Sequence, residues 1–337
     1  MTEISIVIPT LNDAETLDAC LESLDSQNYP EEKYEVIIVD GGSDDGTLNI
    51  AHEYNCRVLF EEEGTISYAR ELGVQKADGS YIAFTDADCV VPDDWLVKLK
   101  STVETDEHVA GVGGPNVTPE DDKTFAKAVG DFFELFSKVG ARYGFTGDEI
   151  TEVHHNPTCN VIYKREVLEE VGGFNEQLVT VDDEEMDYRI REQGYRLLFR
   201  PDAPVDHYRR PTWRRFQQMA YTYGYGRGQA VRIHSELGKW FHYGPTIIGI
   251  VVIGLFLAAL LTPIPLFIPL SVVFIGEISI LGIAAFMRLR TNRSLIRYYL
   301  LINVWHIFWG IGFAQGIVNP PSTDPDLQMK SDPQKTS

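Results

Sequence analysis

Asp86-Ala87-Asp88 closes the apolar run Ser80-Tyr81-Ile82-Ala83-Phe84-Thr85. Two carboxylates one residue apart at a strand end offer hard oxygen ligands, the chemistry that Mg²⁺ or Mn²⁺ prefers. An ion so held keeps waters and takes its remaining ligands from a substrate diphosphate. Asp40 and Asp182-Asp183 also lie close to predicted element ends. Acid groups in these places suit metal-assisted transfer from a nucleotide-activated donor.

The elements that must carry them alternate. Ile4-Ser5-Ile6-Val7-Ile8, ended by Pro9, reads as a buried strand. A helix capped by Asn12 or Asp13 runs through Gln27, with Leu17, Leu21 and Leu24 on its apolar face. Strands follow at 34–39, 57–60 and 81–85, with helices at 47–54 and 67–76 between them. This alternation predicts an α/β fold with a mostly parallel sheet and ligands at the strand C-terminal ends, where Asp40 and Asp86 fall.

The chain has 337 residues and splits in two. Residues 1–235 are mixed and acidic, 236–318 are mostly apolar, and 319–337 form a polar tail expected to be disordered. The net charge of −21, from 50 acidic and 29 basic residues, argues against nucleic-acid binding. It fits a solvated acidic surface, as a high-salt cytoplasm favours. Cys20, Cys56, Cys89 and Cys159 form no CxxC pair, so reduced thiols are expected, with Cys89 a packing residue. Met1-Thr2-Glu3-Ile4 leads straight into a strand and shows no signal peptide.

Residues 245–261, 264–287 and 295–318 are apolar stretches of about bilayer-crossing length, roughly 17–25 residues. Arg214, Arg215, Arg227, Arg232 and Lys239 precede the first, and Arg288, Arg290, Arg293 and Arg297 fill the connection between the second and third. Positive charge favours the cytoplasmic side, which predicts a multi-pass protein of the cell membrane with its acidic domain in the cytoplasm. Glu277, inside the second stretch, should face Asn303 or His306 on the third, as a hydrogen bond between spans or as a grip on a lipid head group.

Four ordered segments resemble the signatures of inverting family 2 glycosyltransferases. They are Ser5 to Asp13, Val39 to Thr47, Phe84 to Asp88 and Asp182 to Glu185. The resemblance covers roughly residues 3–230 and implies the GT-A fold. By it, Pro9, Leu11 and Asp13 match the first nucleotide-binding turn, with Leu11 where an aromatic is common and Asp13 where Glu is frequent. Asp40 matches the acceptor of a hydrogen bond from the base; its other reading is a turn-former before Gly41-Gly42. Asp86-Ala87-Asp88 matches the donor-binding metal motif, with Asp88 on the Mg²⁺ or Mn²⁺ ion and Asp86 touching ribose or metal-bound water. Asp88 is otherwise a cap for the helix opened by Pro92-Asp93-Asp94-Trp95. Arg70 matches an arginine near the donor phosphates, although Glu71 replaces the usual Asn after it.

Asp183 matches the catalytic base, with Asp182 the alternative register. One base and one displacement give inversion. Acids at a helix N-terminus also simply favour its dipole. His207 lies where many members place a histidine near the metal or diphosphate, or is an ordinary surface histidine. The segment from Thr158 to Arg165 resembles the acceptor side. Phe125, Phe132, Phe133, Phe136 and Tyr143 form a stripe that suits core packing or a lipid-facing helix. Arg227 is a grip for a lipid phosphate or donor diphosphate, or a positive-inside anchor.

The segment after Gln217 lacks the Gln-x-x-Arg-Trp of processive synthases, so one sugar per encounter is expected. The resemblance implies transfer of a hexose from a UDP- or GDP-sugar to a polyisoprenoid-linked acceptor, in surface glycan, exopolysaccharide or N-glycan assembly. A polyisoprenyl-phosphate sugar synthase is the first alternative, and its attacking phosphate oxygen needs no base. A non-catalytic membrane scaffold is the second. A nucleotidyltransferase needs a Gly-rich basic loop after the first strand, and Thr10-Leu11-Asn12-Asp13 is neither.

Overall fold

The computed structural model describes residues 1–61, 65–137, 149–209, 212–262, 265–319 and 321; side chains at 135–137 lie outside it. The first half alternates as the sequence pattern predicts. β1 (Ile4–Thr10) leads to α1 (Leu17–Asp25), β2 (Tyr34–Asp40), α2 (Thr47–Glu53), β3 (Cys56–Phe60), α3 (Ile66–Lys76) and β4 (Tyr81–Thr85). β5 (Cys89–Val90), α4 (Trp95–Val103), β6 (Val109–Gly113), β7 (Asn116–Val117) and α5 (Thr124–Ser137) follow. Next come β8 (Thr151–Val153), β9 (Asn160–Lys164), α6 (Arg165–Glu170), α7 (Asp182–Glu192), β10 (Arg196–Phe199) and β11 (Val205–His207). Four long helices end the described chain: α8 (Trp213–Ile233), α9 (Trp240–Leu261), α10 (Phe267–Thr291) and α11 (Leu295–Val318).

The main sheet has the order β3-β2-β1-β4-β9-β6-β10-β8. β3, β2, β1 and β4 run parallel. β9 enters antiparallel between β4 and β6, and β8 lies antiparallel on the far edge. Ile4, Ile6, Ile8 and Ile38 point to one face, against Leu17, Leu21, Trp95 and Leu99. Val7, Ile37, Val39 and Phe84 point to the other, against Val74, Met186 and Ile190. The period of two along each strand thus feeds two cores.

Three boundaries differ from the sequence expectation. α1 begins at Leu17 rather than near Asn12, because Asn12 takes a left-handed conformation (φ 57°) and the chain turns before the helix. α9 starts at Trp240, five residues before the expected Pro245. α10 continues past Met287 to Thr291, carrying Arg288 and Arg290 in its last turn, where cations suit the helix dipole, and stops at left-handed Asn292. The expected start of the second span at 264, Tyr143 of the aromatic stripe, and the tail apart from residues 319 and 321 lie outside the described residues.

α9, α10 and α11 are long and apolar enough to cross a membrane. Phe125, Phe132 and Phe133 of the stripe are core, while the side chain of Phe136 lies outside the described residues: Phe132 meets Phe216 of α8 and Trp305 of α11, and Phe125 meets Trp213. α11 lies backbone to backbone on α8. A Cβ on Gly312 would sit 2.1 Å from the Tyr221 carbonyl, and one on Gly316 would sit 2.0 Å from that of Tyr225. Only glycine permits this approach. Glu277 of α10 accepts from the Tyr299 hydroxyl and from Asn303 Nδ2 at 3.4 Å. His306 is not its partner, because that ring bonds the Ile302 carbonyl one turn back.

Candidate active site

The nucleotide side is built from two neighbouring turns. Parallel pairing sets Thr10 opposite Asp40 at the ends of β1 and β2. The turns are then stitched together. Asn12 N donates to Ser43 Oγ at 2.9 Å, Asp44 N to Asn12 Oδ1 at 2.9 Å, and Asp13 N to Thr47 Oγ1 at 2.8 Å. Asp13 also turns inward and accepts from Leu11 N at 2.9 Å. Pro9 and Leu11 are half-buried beside this turn. Asp40 is fully buried, and its carboxylate accepts from Gly42 N, Ser43 N, Ser43 Oγ and Thr10 Oγ1 at 2.5–3.1 Å. These bonds hold its own turn.

The metal side follows from a strand return. β11 pairs antiparallel with β5, placing His207 opposite Cys89, and Tyr208 N donates to the Asp88 carbonyl at 2.8 Å. His207 Nε2 thereby lies 3.1 Å from Asp88 Oδ1. Ligand atoms of Asp86, Asp88, Cys89 and His207 all fall within 4.8 Å of one another. Two carboxylates and an imidazole around one point fit a divalent cation. Burial, with Cys159 adding, pushes Asp86 up to about 7. Burial opposes charge on His207, but Asp88 outweighs it and carries the imidazole up to about 10. A carboxyl inclined to keep its proton and a charged ring crowded against Asp88 are what a bound cation would displace. Cys89 is fully buried, and burial raises its thiol well above the usual range. Asp94, not Asp88, precedes α4.

The base side reaches the same place through β9. Thr85 pairs with Asn160, so Cys159 and Thr158 lie beside Asp86 at the sheet end. Thr158 N and Oγ1 approach Asp183 Oδ2 at 3.5 and 3.4 Å, and Glu184 N donates to Asp183 Oδ1 at 2.8 Å. Val181 enters α7 in a left-handed conformation (φ 66°). For a β-branched residue that is strain of about 1–3 kcal/mol, held by its surroundings. The two registers separate here. The Asp182 side chain is 1% exposed and ion-paired to Arg70 at 2.8 Å, whereas that of Asp183 is 19% exposed. Arg70 sits inside the protein between the two sides, against Asp182 with Asp183 and Asp86 nearby. Arg227 reaches Glu184 with both guanidinium nitrogens and does not stand open to a phosphate.

Sequence reasoning gave no site role to three groups, one of which, Cys89, it read as packing. His155 lies 3.9 Å from Asp183 and 2.8 Å from Asp187. Tyr223 of α8 is 36% exposed, and desolvation by its surroundings raises its phenol with Asp183 and Asp86 adding, so α8 runs within electrostatic reach of both acids. Cys89 joins the metal group. The His154-His155-Asn156-Pro157 run was the available signal for the first, and the pattern gave no signal for the second.

Residues 5–172 match the profile described as glycosyl transferase family 2. The chain is 33% identical over 215 residues to glycosyltransferase AglE of Haloferax volcanii, covering 62% of this chain and 67% of that one. A Methanococcus voltae protein is 26% identical over 344 residues, covering 96% and 99%. It is named dolichyl N-acetyl-alpha-D-glucosaminyl phosphate 3-beta-D-2,3-diacetamido-2,3-dideoxy-beta-D-glucuronosyltransferase. Among solved structures, mannosyltransferase PcManGT from Pyrobaculum calidifontis, in complex with GDP-Man and Mn²⁺, superposes with a TM-score of 0.62 at 20% identity. That match covers 93% of this chain and 86% of the other, and the shared fold is GT-A.

Proposed function

We propose that this chain, which belongs to glycosyl transferase family 2, moves a hexose from a UDP- or GDP-sugar to a polyisoprenoid-linked glycan at the membrane, with inversion. Residues 1–235 form the cytoplasmic catalytic domain, and α9, α10 and α11 anchor it in the bilayer. Pro9, Leu11, Asp13 and Asp40 bind the nucleotide half of the donor, Asp40 as the buttress of its turn. Asp86, Asp88 and His207 hold Mg²⁺ or Mn²⁺, and the ion when bound offsets charge on the departing diphosphate. Asp183 takes the proton from the acceptor hydroxyl as that oxygen attacks the anomeric carbon from the opposite face.

The observation that carries this reading is the bridge from Asp86 to Asp183, two residues of β9's leading segment long. Thr85 pairs with Asn160, and Thr158 touches Asp183. The dolichyl compound in the name of the Methanococcus voltae relative, matched over nearly both whole chains, supports a polyisoprenoid acceptor.

The test is incubation of membranes carrying the protein with radiolabelled UDP- and GDP-sugars, Mn²⁺ and a polyisoprenyl-phosphate-linked sugar, followed by lipid extraction. Label should extend the sugar already on the lipid, in the inverted configuration. Label on a bare polyisoprenyl phosphate would instead favour the lipid-phosphate synthase. No label in any lipid fraction, with either nucleotide series, would overturn the proposal.

A further inference from the structure

The first turn of α7 carries four acids, and each has a cationic partner of its own. Arg70 pairs with Asp182, Arg227 with Glu184, and both Arg189 and His234 with Glu185. The cationic partner facing Asp183 is His155, with Nε2 at 3.9 Å from Oδ2. Among the described residues, no lysine or arginine lies within ion-pair distance of Asp183. Asp183 is thus the one acid of the four whose partner within ion-pair distance, among the described residues, is a histidine alone, a group that titrates near neutrality; Arg70 acts on it from further off.

The ring of His155 is fixed from behind. Asp187 is fully buried and accepts from three donors: His155 Nδ1 at 2.8 Å, Asn156 N at 2.8 Å and the Tyr163 hydroxyl at 2.7 Å. An ionised carboxylate only accepts, so Nδ1 carries a proton and the tautomer is set. Nε2 is left as the titrating nitrogen, and it is the one that points to Asp183. Asp187 lies four residues after Asp183, one helical turn on, which places both carboxylates on the same face of α7.

We propose that His155 is a positioning residue for the base. Clamped by Asp187, its imidazolium places a positive charge 3.9 Å from Asp183 and keeps that carboxylate aimed at the acceptor. This rests on Asp183 being the base. The charged and titratable groups around the pair are Asp182, Glu184 and Asp187 on α7, Arg70 on α3, Tyr163 on β9, Asp86 after β4, and Tyr223 and Arg227 on α8. Acids predominate, and both arginines are already paired. Burial opposes a charged His155, yet Asp183 and Asp187 raise it above the ordinary histidine value.

The test uses the full-length protein in detergent, with the nucleotide sugar that proves active and a hydroxyl acceptor. In His155→Gln, the acid limb of the kcat/KM profile should move to higher pH by about one unit or more, because an opposite charge within about 4–6 Å has been removed. Nucleotide and Mn²⁺ affinity should stay unchanged. A limb that stays in place, in a variant that still binds nucleotide, overturns the proposal. Asp183→Asn gives a second reading by NMR of the histidine rings. His155 should then titrate at lower pH, and an unmoved His155 titration also overturns it. Full activity in Asp183→Asn removes the base itself, whereas an inactive Asp183→Asn with a wild-type profile in His155→Gln removes only the role of His155.

Discussion

The group around Asp86, the candidate metal side, and the group around Asp183, the candidate base side, are assembled by different means. Asp86, Asp88 and Cys89 lie within four successive residues after one strand, and a single return strand adds His207. Backbone pairing alone brings them together. Asp183 instead depends on side chains from β9's leading segment, the His155–Asp187 clamp and an arginine-paired helix start. A site written in contiguous residues is robust to what happens elsewhere. One written in long-range contacts is exposed to every element that supplies a contact.

Substitutions can break that contrast. Asp88→Ala should lower turnover most, by about 4 kcal/mol or roughly a thousandfold, because it removes a ligand to the charge-neutralising ion. Mn²⁺ titration should show weakened binding with unchanged melting of the fold; equal rates with and without Asp88 would end the metal reading. Asp183→Asn should cost about a hundred- to a thousandfold in kcat on a hydroxyl acceptor, with donor affinity unchanged. A large residual rate would point to an acceptor that attacks through phosphate.

Arg227→Met should destabilise the protein by about 3 kcal/mol at neutral pH, since it leaves Glu184 without its partner. Burial works against ionised Glu184, but Arg227 outweighs it and holds the carboxyl below its ordinary range. The stabilisation is therefore present above the unfolded carboxylate pKa of about 4.3 and is lost as pH falls below it. Melting curves of wild type and variant should converge as the pH drops from 7 toward 3. If Arg227→Met weakens Mn²⁺ binding as much as it slows turnover, the two sides are not separable and the contrast fails. Gly312→Leu should touch the chemistry least, with Mn²⁺ affinity intact, but thermal melts should show a marked loss of stability, because a Cβ 2.1 Å from the Tyr221 carbonyl forces α8 and α11 apart.

Legibility in the sequence followed the same divide. The strands from β1 to β4 and the motif at Asp86 were readable, because alternation and β-branched runs are local signals. β5, β7 and β11 were not, since two- and three-residue strands carry no period. The antiparallel entry of β9 between β4 and β6 was also hidden, and it determines that Asp86 and Thr158 are neighbours. Asp182 and Asp183 are chemically identical in the sequence. Only Arg70, more than a hundred residues away, distinguishes them. His155 was passed over for the same reason, because its partners stand 28 and 32 positions further along the chain.

The contact between α8 and α11 bears on how the cleft meets its substrate. Because Gly312 and Gly316 bring main chain against main chain, there is no slack between the last apolar helix and the helix that runs beneath Tyr223. With α11 spanning a bilayer, the opening would ride at a set height above the lipid surface rather than swing on a tether. Reach then becomes a selection rule. Under the proposed function, acceptors whose reactive hydroxyl stands at that height would be glycosylated, shorter and longer ones would pass by, and membrane thickness itself would become a variable in the rate.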